Sequence, residues 1–264
     1  SICAERGKPM NSKVVYTSLT AGYDDLKQPV SVRPDYDYIC FSNDIPGPTI
    51  GVWQIRKIPF NSDNGTRLTR FPKLNPHLVL PDYEYSLWVD ANLDLTDAVM
   101  QRADQLISEN VLLAMVPHSD RTCVYQEARC LTRRLIDNPN IIFRQTCFLL
   151  KSGLPENSGL FVCCCMLRKH NTSEIKSFSE DWWDLYSRYS YRDQMSVMYA
   201  LWKNNLTPVS FWSNDFYSRF VHPHRNVKHR SLPIRFLRYT ISHLLLFRLF
   251  LLYWHFGISW NKCY

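Results

Sequence analysis

Residues 85–94 read Tyr85-Ser86-Leu87-Trp88-Val89-Asp90-Ala91-Asn92-Leu93-Asp94. An apolar and aromatic run enters a group of two carboxylates and an amide, as a buried strand does when it ends at an active-site edge. In extended backbone, residues i, i+2 and i+4 share a face. Asp90, Asn92 and Asp94 are therefore expected to converge, and their oxygens suit hard divalent cations such as Mg²⁺ or Mn²⁺. The plainer reading is a strand followed by a turn, with Asp and Asn present for turn chemistry. Spacing alone leaves both open.

Working outward, three more runs upstream read as strands: Lys13 to Leu19, Asp37 to Ser42 and Val52 to Ile58. The first is β-branched and aromatic, as a buried strand should be. It runs into Thr20-Ala21-Gly22-Tyr23-Asp24-Asp25, a small-residue loop of the kind that receives nucleotides at the carboxyl end of α/β sheets. That loop has neither the dinucleotide nor the P-loop glycine pattern, so those classes are unsupported. Between Asn64 and Leu80, the residues Arg67, Arg70, Lys73 and His77 fall on one helical face. Such a face can grip phosphates, although a solvated basic face is the commoner outcome.

Downstream, Asp97 to Asn110 is expected to be a helix capped by Thr96, and Val111 to Val116 a strand that delivers a polar loop containing His118. Val124 to Ile136 reads as a helix with Glu127 in its first turns. Phe143 to Leu149 is ambiguous. Gly153 to Arg168 reads as a loop and a buried strand ending in Arg168-Lys169-His170-Asn171, a second strand with polar residues at its end. Helices follow over Ile175 to Tyr186 and from Arg192-Asp193-Gln194 through Trp202, then a strand around Val209 to Trp212. Alternating strands and helices with polar residues at strand ends define an α/β sheet covered by helices. No nucleophile signature occurs, and the carboxylates give no support to glycoside hydrolysis, whose defining separation is not readable from sequence.

The totals narrow the class. A chain of 264 residues with 45% apolar and 21% charged residues can bury a sizeable core. The net charge of +7 suits an anionic substrate such as a nucleotide diphosphate, or an anionic membrane surface. Without a Lys/Arg run it gives no case for nucleic acid. Nine cysteines, three of them consecutive at Cys163-Cys164-Cys165, make a poor disulfide framework and suit a reduced, cytoplasmic protein. No Cys-x-x-Cys pair offers a structural zinc site, and Ser1 to Met10 has no hydrophobic signal region. The division expected is a catalytic domain over 1–230 and a basic, aromatic helical segment over 231–264. The run Leu244 to Leu252 is too short and interrupted to span a bilayer. A basic amphipathic helix at a membrane surface and a helix packed on the domain are both open.

Several segments, taken in order, carry a family resemblance. They are Val14-Val15-Tyr16-Thr17 with Gly22-Tyr23-Asp24, Asp37 to Phe41, Arg67 to His77, Tyr85 to Asn92, Pro117-His118, Tyr125-Gln126-Glu127, Arg168 to Asn171, Trp182-Trp183 and Arg192 to Ser196. Together they span roughly residues 13 to 225. The chain resembles a glycosyltransferase-like domain family, once catalogued as a domain of unknown function, with members in bacterial polysaccharide loci and among plant Golgi proteins. It is similar through that family to GT-A galactosyltransferases.

The resemblance implies a GT-A-like single domain: a mixed, mostly parallel sheet flanked by helices, with a Rossmann-like nucleotide-binding half. It implies sugar transfer from a nucleotide-sugar, a UDP-sugar first, to a glycan or lipid-linked acceptor in surface polysaccharide synthesis, with Mn²⁺ or Mg²⁺. Asp90 and Asn92 stand at the family's Asp-x-Asp, with Asn in place of the second Asp, and a late His, His222 or His224, completes the metal shell. Donor contacts are implied for Thr17, Tyr23, Arg67, Arg70 and Lys73, with His118 and Glu127 as further contacts. Asp193 and Gln194 are implied at the reacting sugar. The expected setting is cytoplasmic, peripheral to the inner membrane face. Metal-dependent nucleotidyl transfer and a non-catalytic carbohydrate-binding domain are the alternatives.

Overall fold

The computed structural model describes residues 11–20, 22, 24–213, 215–222 and 232–260, with side chains in the last stretch from 241 onward. The elements in order are β1 (Lys13–Ser18), β2 (Tyr36–Phe41), β3 (Thr49–Ile50), β4 (Trp53–Arg56), α1 (Gly65–Leu74), α2 (Pro76–Val79), β5 (Tyr85–Val89) and α3 (Asp97–Ser108). There follow β6 (Leu113–Pro117), α4 (Val124–Arg134), α5 (Pro139–Lys151), β7 (Phe161–Arg168), α6 (Ser173–Arg188), α7 (Gln194–Lys203), β8 (Val209–Ser210), α8 (Phe216–Phe220) and α9 (Leu232–His255). The result is the expected α/β architecture, one eight-stranded mixed sheet in the order β3-β4-β2-β1-β5-β7-β6-β8, with helices on its faces.

Strands β4, β2, β1 and β5 are mutually parallel, so their carboxyl ends share one edge. Buried on both faces, β1 and β5 are nearly continuous apolar runs, as central parallel strands are. The period of two divides their side chains between two cores. Tyr16, Trp88 and Met166 face the larger cluster, beneath α1, α4, α6 and α7. Val15, Leu87 and Leu167 face the smaller one, with α3 and α8. Trp88 meets Tyr16 edge-on, with ring centroids 5.1 Å apart.

Strand β7 runs antiparallel to both β5 and β6. Its amino end therefore lies beside Asp90, and Arg168-Lys169-His170-Asn171 falls at the opposite edge of the sheet. The second polar strand end expected from the sequence is thus remote from the first. The ambiguous Phe143 to Leu149 belongs to α5, which Asn138 caps by accepting from Asn140 N at 3.0 Å and Pro139 opens. Thr96 stands at the amino end of α3 without a side-chain cap bond.

The basic segment Asn64 to Leu80 is two helices. Asn64 caps α1 by accepting from Arg67 N at 3.1 Å. The helix stops at Asn75, because a residue before proline is disfavoured in α conformation, and Pro76 then opens α2. His77 is thereby separated from Arg70 and Lys73. The basic face is also not solvated: Lys73 is 1% exposed and points into the protein.

Helix α9 packs on α4 and α5. Leu249 and Tyr253 are buried, and the Tyr253 hydroxyl donates to Tyr125 O at 2.7 Å. Among the described residues no helix is long and apolar enough to cross a membrane.

Candidate active site

Strand β5 ends at Val89, and the chain turns at once. Leu93 N donates to Asp90 O at 3.0 Å. The rule that brings i, i+2 and i+4 together holds only in extended backbone, so Asp94 does not join Asp90 and Asn92. It pairs instead with Lys27 Nζ at 3.0 Å and His222 Nε2 at 2.5 Å. Hydrogen bonding from His222, then from Lys27, holds the Asp94 carboxyl below its ordinary value. The turn reading and the strand-edge reading are both realised in one segment.

Asp90 sits in a buried ion cluster assembled from three elements. Its Oδ1 accepts from Trp88 Nε1 at 2.9 Å and from Lys73 Nζ at 3.3 Å. Lys73 also donates to Asp193 Oδ2 at 2.7 Å, and Arg70 Nε lies 3.3 Å from the same oxygen. Asp193 Oδ1 accepts from Gln194 N at 3.0 Å, which makes Asp193 the amino cap of α7. Burial alone would push the Asp193 carboxyl up; Lys73, Arg70 and Arg192 outweigh it and hold it well below the usual carboxylate range. An ionised Asp193 follows, with too little proton affinity for a general base.

The backbone beneath Asp193 is braced. Trp182 Nε1 donates to Asp193 O at 3.2 Å and to Ser196 Oγ at 3.1 Å. Trp182 is fully buried, and Trp183 packs against Phe60, Phe71 and Tyr186. These tryptophans therefore build core.

Two cavities meet at this cluster, sharing Arg70, Asp90 and Arg192. The first, about 320 Å³, opens at the carboxyl ends of β1 and β5, between Ser18, Thr20, Thr66, Thr69, Asn92 and Tyr191. That edge of parallel strands is where open α/β sheets bind ligands. The second, about 330 Å³, lies between Lys73, Asp193 and Gln194 on one side and His118, Arg121 and Glu127 on the other. There Glu127, 2% exposed, pairs with Arg121 Nε at 2.7 Å. Burial, then Arg121, pushes the His118 imidazole down to about 4.

The expected site residues divide accordingly. Arg70, Asp90 and Asn92 line the first cavity; Arg70, Lys73, Asp90, His118, Glu127, Asp193 and Gln194 line the second. Thr17 lines neither. It faces the opposite side of β1, beside a void of about 10 Å³ with Lys27 and Trp53, and Ser18, one residue on, lines the first cavity instead. Arg67 borders neither cavity. Tyr23 and His224 lie outside the described residues. Arg192, Arg121, Thr66 and Thr69 were not singled out as site residues. Adjacency to Asp193 marks Arg192, but only the fold brings Arg121 there.

Asn92 explains its own identity. Its Nδ2 donates to His222 O at 2.5 Å, while His222 N donates to Asn92 O at 3.0 Å. A carboxylate would set oxygen against that carbonyl, so an amide is required. Asn92 Oδ1 is buried without a hydrogen-bond partner. An orphaned amide oxygen on a residue of the cavity that Asp90 also lines fits one ligand of a hard cation whose other ligands come from a carboxylate, phosphates and water, the manner in which Mg²⁺ is usually held. Among the described residues no three His, Cys, Asp or Glu side chains gather as a metal cage. The imidazole of His222 is engaged by Asp94.

The fold and site define a helix-covered α/β domain with a charged double cavity at its parallel strand ends. The family model described as "TOD1/MUCI70, glycosyltransferase-like domain" matches residues 39–225, and the chain belongs to that family. It is 26% identical over 212 residues to the "Probable hexosyltransferase MUCI70" of Arabidopsis thaliana, a match covering 69% of this chain and 36% of that protein. The chain thus spans about a third of that relative's length. The bifunctional glycosyltransferase WbbM, in its apo structure, is similar over 88% of this chain and 44% of its own, with 10% identity and a TM-score of 0.40.

Proposed function

We propose that this domain is a GT-A-type glycosyltransferase that moves a hexose from a nucleoside-diphosphate sugar, a UDP-sugar first, to a glycan or lipid-linked acceptor of surface polysaccharide synthesis. The observation that carries the reading is the meeting of two cavities at Asp90, Arg70 and Arg192. A transferase needs two substrates in contact at one charged point. The donor occupies the first cavity, at the strand ends; the acceptor enters by the second.

Glycosyl transfer develops charge on the leaving diphosphate and on the sugar carbon. Arg70 and Arg192 border both cavities and offer guanidinium donors to phosphate oxygens. A Mn²⁺ or Mg²⁺ ion held by Asp90 and Asn92 would supply Lewis-acid stabilisation of the leaving diphosphate. Lys73 bonds both Asp90 and Asp193 and fixes them with no substrate present, the preorganisation on which electrostatic catalysis depends. Asp193 accepts from sugar hydroxyls and stabilises positive charge on the sugar; it does not remove the acceptor's proton. Glu127 and His118 line the acceptor side.

The test is release of nucleoside diphosphate from a panel of nucleotide-sugars, in Mn²⁺ and in chelator. One donor should be turned over in Mn²⁺, and Arg192→Met should lower that rate about 100-fold, the usual loss for one transition-state donor. Sugar binding without turnover of any donor would replace the transferase with a carbohydrate-binding domain. Release of pyrophosphate from a nucleoside triphosphate would replace it with a nucleotidyltransferase.

A further inference from the structure

The distribution of charge is lopsided. Residues 216–264 carry eight Lys and Arg side chains and no Asp or Glu, against a net charge of +7 for the whole chain. The rest of the molecule is therefore close to neutral, and the positive charge belongs to the segment that contains α9.

Helix α9 is also two-faced. Leu249, Tyr253 and Ser242 are buried on the side that meets α4 and α5. The opposite side bears Leu244, Phe247, Leu251 and Trp254, spaced three and four apart, so they form one stripe. They are 69%, 59%, 46% and 76% exposed. Phe247 stacks on Phe250, itself 38% exposed, at 6.3 Å between centroids. Cations flank the stripe. Arg248 donates to Asn140 Oδ1 at 3.0 Å and lies over the Phe143 ring, and both Arg248 and Lys151 reach Cys147 electrostatically. Arg248, Lys151 and His243 are exposed.

We propose that the outer face of α9 docks on an anionic lipid surface, with Leu244, Phe247, Leu251 and Trp254 in the interfacial layer and Arg248 and Lys151 on the head groups. An apolar face with exposed cations at its side, in a segment basic by sequence, is the pattern of a helix lying in the membrane interface, and basic segments are drawn to anionic leaflets. Self-association is the poorer fit. A two-fold interface is self-complementary, so pairing α9 with its copy would oppose one set of cations to the same set with no carboxylate from this segment to answer it. The inference does not depend on the chemistry of the double cavity.

Co-sedimentation of the full chain with vesicles is the test. Binding should be at least tenfold stronger to vesicles of about 30% phosphatidylglycerol in phosphatidylcholine than to phosphatidylcholine alone, and should weaken with salt. The triple variant Leu244→Ser/Phe247→Ser/Trp254→Ser should lose at least tenfold, with its thermal midpoint unchanged. Brominated lipid should quench tryptophan fluorescence in the native chain, and Trp254→Phe, a variant that keeps the fold, should lose that quenching. Equal binding by native and triple-variant chains, or no quenching at Trp254, would overturn the proposal. So would a dimer in light scattering that the triple variant abolishes.

Discussion

The two ends of β7 bury charge in opposite ways. Near its amino end, Lys73 lies between Asp90 and Asp193, with Arg70 alongside, so every charge has a counter-charge within hydrogen-bonding reach. At its carboxyl end, Arg168 is fully buried and donates only to the Tyr16 hydroxyl, and its Nε and Nη1 have no partner. His170 beside it is equally buried, with Nδ1 unpartnered. In the sequence both are polar groups at a strand end. Strand direction separates them: one opens on two cavities at the carboxyl edge of the parallel strands, and the other is sealed, with Arg168 on Tyr16 and His170 on Leu80 O. A paired cluster can present charge to a ligand; an unpaired one is structural and carries its desolvation cost.

The sharpest way to break this comparison is to remove one cation at each end. Lys73→Met strands two carboxylates in the interior and should cost about 3–5 kcal/mol in urea unfolding, the usual loss when a buried pair is broken. Arg168→Met removes a charge that has no carboxylate and should cost less than about 2 kcal/mol. Equal losses would refute the contrast.

Asp193→Asn should lower donor turnover about 100-fold. It should also change the acid limb of stability. The folded carboxyl titrates below its ordinary 3.8. Its contribution is therefore complete above that value and is lost only as pH falls beneath it. The variant should lack that limb in acid unfolding curves.

The sealed end has a signature of the same sign, in a higher pH window. Burial, then Arg168, pushes the His170 imidazole from 6.5 down to about 4. The unfolded chain takes up the proton first, so stability is full above pH 6.5 and falls as pH drops toward 4. The shift sets a ceiling of about 3 kcal/mol on that loss. In His170→Gln, whose amide can still donate to Leu80 O, the slope between those values should flatten. A smaller effect sharpens the reading of the turn after β5: Asn92→Asp should cost about 1–3 kcal/mol, since it replaces the donor to His222 O.

Much of the fold was legible because its signals are local. The apolar runs of β1 and β5 follow from composition; the Asn-Pro opening of α5 and the break before Pro76 are equally local signals, yet Phe143 to Leu149 stayed ambiguous and Arg67 to His77 was read as one helical face. The candidate site was legible in part. Asp90, Asn92, Lys73 and Asp193 each showed themselves, but their meeting is a tertiary fact that joins a strand end, a helix face and a helix cap. The misses are physical. Thr17 and Ser18 differ only in which face of β1 they occupy, and spacing cannot choose between them. Asp94 left the expected group because the chain turns after Val89. Arg168 to Asn171 read as a second polar strand end like that at Asp90, because nothing in a sequence states whether a strand runs parallel or antiparallel.

Calorimetric titration of UDP into the native chain and into Asp90→Asn, each with and without Mn²⁺, is the most direct test of the double cavity as a donor site. The Asn variant keeps an acceptor for Trp88 and Lys73, so its fold should survive. The expected result is one UDP site that Mn²⁺ tightens, weakened at least tenfold by Asp90→Asn with the metal effect lost. UDP binding of equal strength in the two proteins, or none in either, would contradict it.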